Sequence, residues 1–181
     1  MTKHYIFADC ETTGLCKAES SALSLQPYIT EICLIKTTED LEIVDRYVQM
    51  FKVPNPLEVK VIQITGITDE MLKDKNPFAA HWKEIAEFFL GTTRFIAHNA
   101  TYDHDCIRYE LMRLGKQYRF PWPPEMICTV EKSMHFKNFR LNLGKLHEHL
   151  FGKAFEGAHR AEEDVEALIR CYKKMRELKN G

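Results

Sequence analysis

The sequence predicts a single α/β domain in which a mixed β-sheet is flanked by helices. Two observations carry that expectation. Strand-like runs, including a hairpin, crowd the early part of the chain, and short apolar runs then alternate with segments of helical periodicity. The 181 residues suffice for one sizeable core, with no internal repeat, low-complexity segment or linker to divide them.

The elements follow in order. Tyr5 to Ala8 is an apolar run that delivers Asp9 and Glu11 and stops at Thr12, Thr13 and Gly14. Cys16 to Pro27 is polar and reads as a surface loop. Ile29 to Lys36 and Leu41 to Val53 are rich in β-branched and aromatic residues around a turn at Thr37 to Asp40, a hairpin that Pro54 and Pro56 end. Leu57 to Ile64 fits neither helix nor strand clearly, and Thr65-Gly66-Ile67-Thr68 is a turn, with Thr68 opening a short helical turn. Asn76 is expected to cap a helix with Pro77 at its first position, Phe78, Trp82, Ile85 and Phe89 on its apolar face, and Gly91 closing it. Arg94 to Ala97 is a short buried strand, and a helix from about Thr101 to Leu114 turns Cys106, Ile107, Leu111 and Leu114 inward before Gly115. Three prolines make Gln117 to Glu125 a loop, and Met126 to Cys128 is one more strand. Asn142 caps a helix that Gly152 ends, and the last helix, Arg160 to Lys179, carries its stripe at Ala161, Val165, Leu168, Tyr172 and Met175.

Composition narrows the class. Hydrophobic residues at 45% and charged residues at 28% are ordinary for a globular protein, and a net charge of −1 advertises no polyanion partner in bulk. The six cysteines are dispersed with no CxxC pair, which argues against a zinc knuckle and for free thiols in a reducing, cytoplasmic compartment. No segment resembles a signal peptide or reaches membrane length.

The chemistry concentrates in acids. Asp9 and Glu11, two apart on an extended chain, point to one face, where two carboxylates repel unless a cation sits between them. Oxygen-only sites of this kind suit hard divalent ions. A strand end with two solvated acids is the bland alternative. Free backbone N–H groups at Thr12, Thr13 and Gly14 are expected to be available to an anion such as phosphate. Asp103 lies one turn into a helix that follows a strand, where α/β sheets place their sites, although a dipole-stabilising surface Asp fits equally. Asp164 borders the apolar stripe of the final helix, so it calls for a metal or a salt bridge. His159 precedes that helix and can take a proton near neutrality, or it is a solvated loop histidine.

Asp9-x-Glu11-Thr12-Thr13-Gly14, Ala97-His98-Asn99-Ala100-Thr101-Tyr102-Asp103 and His159-x-Ala161-x-x-Asp164 occur in that order. Over nearly the whole chain this pattern resembles the DnaQ-like 3′→5′ exonuclease superfamily, in its DEDDh branch with a catalytic histidine. The sister branch has a tyrosine four residues before the last Asp, where this chain has Arg160. The resemblance implies a ribonuclease H-like fold and two Mg²⁺ or Mn²⁺ ions held by Asp9, Glu11, Asp103 and Asp164. It implies His159 as general base, Thr12, Thr13 and Gly14 receiving the terminal nucleotide, and Leu15 wedged against a base. His98, Asn99 and Tyr102 would lie along the strand path, with a ring at Tyr102 where relatives often carry Phe. The implied activity releases nucleoside 5′-monophosphates from the 3′ end of single-stranded DNA. An exoribonuclease using the same site and an inert nucleic-acid-binding module are the rivals. A polymerase or a second copy of the chain is the implied protein partner, although no long polymerase-binding tail follows the last helix. Thr65 stands where relatives often have His before Gly-Ile-Thr, which puts a nucleotide contact there in doubt.

Overall fold

The structure, a computed structural model, describes residues 3–155 and 160–180. Strands β1 (His4–Thr12), β2 (Ile29–Thr38) and β3 (Ile43–Met50) come first. Helices α1 (Val59–Thr65), α2 (Asp69–Leu72) and α3 (Phe78–Phe89) lead into β4 (Thr92–Ala97) and α4 (Ala100–Arg113). Then follow β5 (Glu125–Cys128), α5 (Thr129–Lys137), α6 (Leu143–Phe151) and α7 (Ala161–Asn180). One five-stranded sheet has the order β3-β2-β1-β4-β5. β1, β2 and β3 form an antiparallel meander, whereas β4 pairs parallel with β1 and β5 parallel with β4. The sheet is therefore mixed, and β1 at its centre is where antiparallel pairing gives way to parallel.

The period of two along each strand sorts the core into two layers. Ile6 and Ala8 of β1, Ile32 and Leu34 of β2 and Phe95 of β4 face α3 and α4, where Phe78, Ile85, Phe89, Ile107 and Leu111 are buried. Tyr5, Phe7, Cys33, Ile35 and Ile96 face the other way, against Leu146 of α6 and the stripe Ala161, Val165, Leu168, Tyr172 and Met175 of α7. The apolar faces read from the sequence for α3, α4 and α7 are the packed faces. All six cysteines are free thiols, and Cys10, Cys33, Cys106 and Cys171 are buried. Among the described residues, no helix is long and apolar enough to cross a membrane.

Three local expectations differ from the fold. The ambiguous stretch after Leu57 is helical from Val59, stopped by Gly66 at φ 70°, a left-handed conformation that glycine adopts without cost. Pro77, not Asn76, is the residue before α3: its backbone is extended at ψ 160°, and Asn76 instead accepts a bond from Lys52 N–H through its carbonyl. Helix α5 has no counterpart in the expected elements. Its buried face mixes Val130 with Thr129 and Ser133, so the apolar period that betrays a helix is missing. Thr68 does open α2, accepting from Met71 N–H.

Candidate active site

Asp9 and Glu11 continue the odd-numbered series of β1 beyond Tyr5 and Phe7, on the face that α7 covers. They project past the end of that layer's apolar packing, where the first turn of α7 brings Asp164. Carboxylate oxygens of Asp9, Glu11 and Asp164 lie within 4.8 Å of one another. Ligands of one hard cation, each about 2.0–2.6 Å from it, have that kind of separation, so the three acids fit a divalent ion.

Asp103 arrives from the opposite layer. Asn99, in the left-handed conformation at φ 77°, turns the chain sharply from β4 into α4 and sets Asp103 in the first helical turn. There its Oδ1 accepts from the Cys10 backbone N–H at 2.9 Å, which draws a fully buried carboxylate around the strand end to the side of Asp9. Asp9, Glu11, Asp103 and Asp164 line one cavity of about 300 Å³ together with His98, Tyr102, Asn142, Leu143, Gly144 and Phe155. His159 lies outside the described residues.

Burial and mutual repulsion raise the proton affinity of this cluster. Asp9 is held well above the usual carboxylate range, first by burial and then by the charges of Asp103, Asp164 and Glu11. Burial, followed by Asp164 and Glu31, lifts Glu11 to about 7, against the opposing pull of Arg160. Asp103 is raised by burial despite the Cys10 N–H, which favours its charged form. Such a set binds protons or a cation more readily than it stands ionised alone.

The loop after β1 is held closely. Tyr102 places its hydroxyl 2.6 Å from Thr12 Oγ1 and donates to the Gly14 carbonyl at 2.9 Å, which Thr12 Oγ1 also reaches at 2.8 Å. Tyr102 thus latches the loop through its hydroxyl as well as lining the cavity with its ring. Of the N–H groups expected to be free, that of Gly14 donates to Thr12 Oγ1 at 3.4 Å and that of Thr13 donates to Tyr28 O at 2.9 Å, while Thr13 Oγ1 accepts from Tyr28 N–H at 3.0 Å. The β1–β2 pairing shifts register between Glu11 and Thr12 and then runs on past the strand, consuming that donor. Gly14, at φ 154°, has open space where a side chain would start, so its backbone conformation rather than crowding selects glycine. Leu15 is 77% exposed beside it. His98 donates Nε2–H to Leu141 O and faces Thr129 Oγ1 with Nδ1, both at 2.9 Å, so its ring nitrogens are occupied within the protein. Arg140 donates to Asn99 Oδ1 at 3.0 Å on the same rim.

Glu31 belongs to this neighbourhood and escaped the sequence reading. It pairs in register with Glu11, is 2% exposed, and receives Arg160 in a two-pronged contact at 2.9 and 3.2 Å. Ala161 N–H donates to the same carboxylate at 3.3 Å, so Glu31 caps α7 and fixes the start of the helix that carries Asp164. The available signal was a single acid inside the apolar run Ile29 to Ile35, which burial tolerates only with a partner.

The exonuclease family model of the RNase T type matches residues 6–172. The chain is 32% identical over 188 residues to a PolC-type DNA polymerase III of Listeria innocua, covering 96% of this chain and 12% of the polymerase. It therefore spans only a small part of that relative. Among solved structures, the zinc-bound complex of E. coli ExoI with single-stranded DNA superposes with a TM-score of 0.81 at 20% identity, over 99% of this chain and 42% of that one. The nuclease domain of 3′hExo, a DEDDh family member bound to rAMP, gives 0.73 at 19% identity, over 99% and 94%. The mixed sheet with helices on both faces is thus the ribonuclease H-like fold of DnaQ-like 3′→5′ exonucleases. With a family match that runs from Ile6 in β1 to Tyr172, past the middle of α7, taking in every acid of the cavity, the chain belongs to the exonuclease family.

Proposed function

We propose that this domain hydrolyses the terminal phosphodiester bond at the 3′ end of single-stranded DNA, releasing nucleoside 5′-monophosphates. The observation that carries the reading is the convergence of Asp9, Glu11 and Asp164 within 4.8 Å in a chain of the exonuclease family. Asp9, Glu11, Asp103 and Asp164 would hold two Mg²⁺ or Mn²⁺ ions, which when bound supply Lewis-acid activation of water and neutralise charge on the phosphate. The protein's own residues do the rest. Glu31 and Arg160 fix the start of α7, and with it Asp164. Thr12, Thr13 and Gly14 form the seat for the terminal nucleotide, held in shape by Tyr102, and exposed Leu15 is placed to press on its base. His98 and Asn99 shape the rim, the first with its ring face. His159, directly before Arg160 in the chain, takes the proton of the attacking water.

Similarity to a stretch of a PolC-type DNA polymerase III favours DNA over RNA and proofreading beside a polymerase as the setting; a second copy of the chain is the other partner to test. The deciding experiment titrates Mg²⁺ or Mn²⁺ into the protein with a 5′-labelled single strand, as DNA and as RNA. A metal-dependent ladder shortening from the 3′ end of DNA is expected. Cleavage of a circular strand, or no cleavage at any metal concentration, would refute the reading; preference for the RNA strand would make the enzyme an exoribonuclease.

A further inference from the structure

Two thiols meet beneath the nucleotide-seating loop. Cys16 Sγ lies 3.7 Å from Cys106 Sγ, across 90 positions of sequence. Cys16 follows Leu15 and is half-buried, and Cys106 on α4 is completely buried. Neighbouring anchors present Cys16 to the helix: Thr13 N–H is bound to Tyr28 O and Lys17 N–H to Gln26 Oε1, each at 2.9 Å. On the helix side, Tyr102 and Cys106 are four apart and share a face. That one face therefore makes both contacts, hydroxyl to Gly14 and thiol to Cys16.

We propose that Cys16 and Cys106 form a disulfide under peroxide and that this bond switches the seating loop off. Oxidation begins at Cys16, the more accessible member. The pKa of its thiol is lowered by the hydrogen bond shared with Cys106, whereas that contact and burial raise Cys106. The Cys16 thiolate attacks hydrogen peroxide, the O–O bond breaks, and sulfenic acid and hydroxide form. The Cys106 sulfur then attacks the Cys16 sulfur and displaces its oxygen, which leaves as water with the Cys106 proton. Two thiols and one peroxide give one disulfide and two waters. Closing the sulfurs from 3.7 Å to about 2.05 Å draws Cys16 toward α4, and Leu15 and Gly14 with it. A displacement of that order at a substrate-positioning loop lowers turnover by about tenfold or more. Cys33 and Cys171 pack on the opposite face of the sheet and take no part.

The bond itself is independent of the exonuclease reading, whereas its effect on turnover rests on it, so the two are read separately. The full chain is treated with hydrogen peroxide, its remaining thiols are alkylated, and linked peptides are mapped by mass spectrometry; turnover on single-stranded DNA is measured before oxidation, after it, and after a thiol reductant. Expected are a Cys16–Cys106 linked peptide and a fall of about tenfold or more that the reductant reverses. Cys16→Ser should match the untreated wild type in turnover, form no link, and keep its turnover under peroxide. Sulfenic or sulfinic acid at Cys16 without a link overturns the bond. A link with unchanged turnover, or equal peroxide sensitivity in Cys16→Ser, overturns the switch. An enzyme inactive on DNA before oxidation would count against the function proposed above, while the peptide map would still decide the bond.

Discussion

Glu110, on the inner face of α4, and the acids at the end of β1 are buried in one small domain, but they are compensated in different ways. Glu110 accepts the Ile29 N–H at 3.0 Å and faces Arg113 Nη1 at 3.2 Å. The same arginine stacks on Tyr28 and donates to the carbonyls of Leu23, Gln26 and Pro27. Burial raises Glu110, and Arg113 and the Ile29 N–H oppose it. At Asp9, burial and four neighbouring acids all push in one direction. Glu110 has its cation in direct contact, whereas the neighbouring charges that shift Asp9 are all acids. Burial of an acid is thus a poor sign of a site by itself. The informative difference is whether the surrounding chain supplies the opposite charge.

The comparison breaks most visibly at Asp9. Asp9→Asn is expected to lower turnover by about 10³-fold or more, and to abolish the rise in melting temperature that Mg²⁺ or Mn²⁺ produces. Without metal the variant should melt no lower than the wild type, because removing one charge relieves its neighbours. A lower metal-free melting temperature would mean that Asp9 is compensated internally after all. His159→Ala separates proton transfer from metal binding: turnover should fall by about 10²–10⁴-fold while the metal-induced rise persists. An unchanged rate in this variant would remove His159 from the mechanism.

Glu110→Ala should reverse the pattern. It leaves Arg113 buried without its carboxylate, a loss on the order of 3–5 kcal/mol in denaturant unfolding, with the metal-induced rise preserved. A loss below about 1 kcal/mol would equate the pair with a surface ion pair.

Acidity sharpens the contrast further. A carboxyl raised in the folded state binds a proton there more tightly than in the unfolded chain, so the fold loses stability as pH rises between the two values. For Glu11 that window runs from 4.5 to about 7, and the raised Asp9 and Asp103 act in the same direction. The melting temperature of the metal-free protein should fall across this interval, and saturating Mg²⁺ should flatten the upper part of the fall. A metal-free melting temperature that rises over the interval would show the acids to be net stabilising when ionised.

Tyr102→Phe is the mildest perturbation. It keeps the ring against the cavity and removes the hydroxyl that joins Thr12 to Gly14, at a cost of about 0.5–1.5 kcal/mol. KM should rise more than kcat falls, since the hydroxyl shapes the loop proposed to seat the nucleotide and touches none of the acids. A fall in kcat alone would move Tyr102 from the loop to the chemistry.

The sequence by itself determined most of the order of strands and helices, the apolar faces of α3, α4 and α7, and the placement of Asp9 and Glu11 on one face. Each of these follows from periods of two or 3.6 that neighbours in the chain impose on one another. It also marked Asp103 at a strand-to-helix junction and Asp164 in a costly position on the border of an apolar stripe. Helix α5 stayed hidden because Thr129 and Ser133 occupy its buried face. Which acid meets which partner was decided by tertiary structure alone. Arg160 reaches Glu31 across 129 positions and Asp103 reaches Cys10 N–H across 93, and local periodicity names a face without naming what packs on it. The same holds for the Tyr102 hydroxyl, the spent donor of Thr13 and the paired thiols of Cys16 and Cys106: each depends on two segments that meet only after the sheet has formed, when burial leaves every polar group to find its partner across the fold.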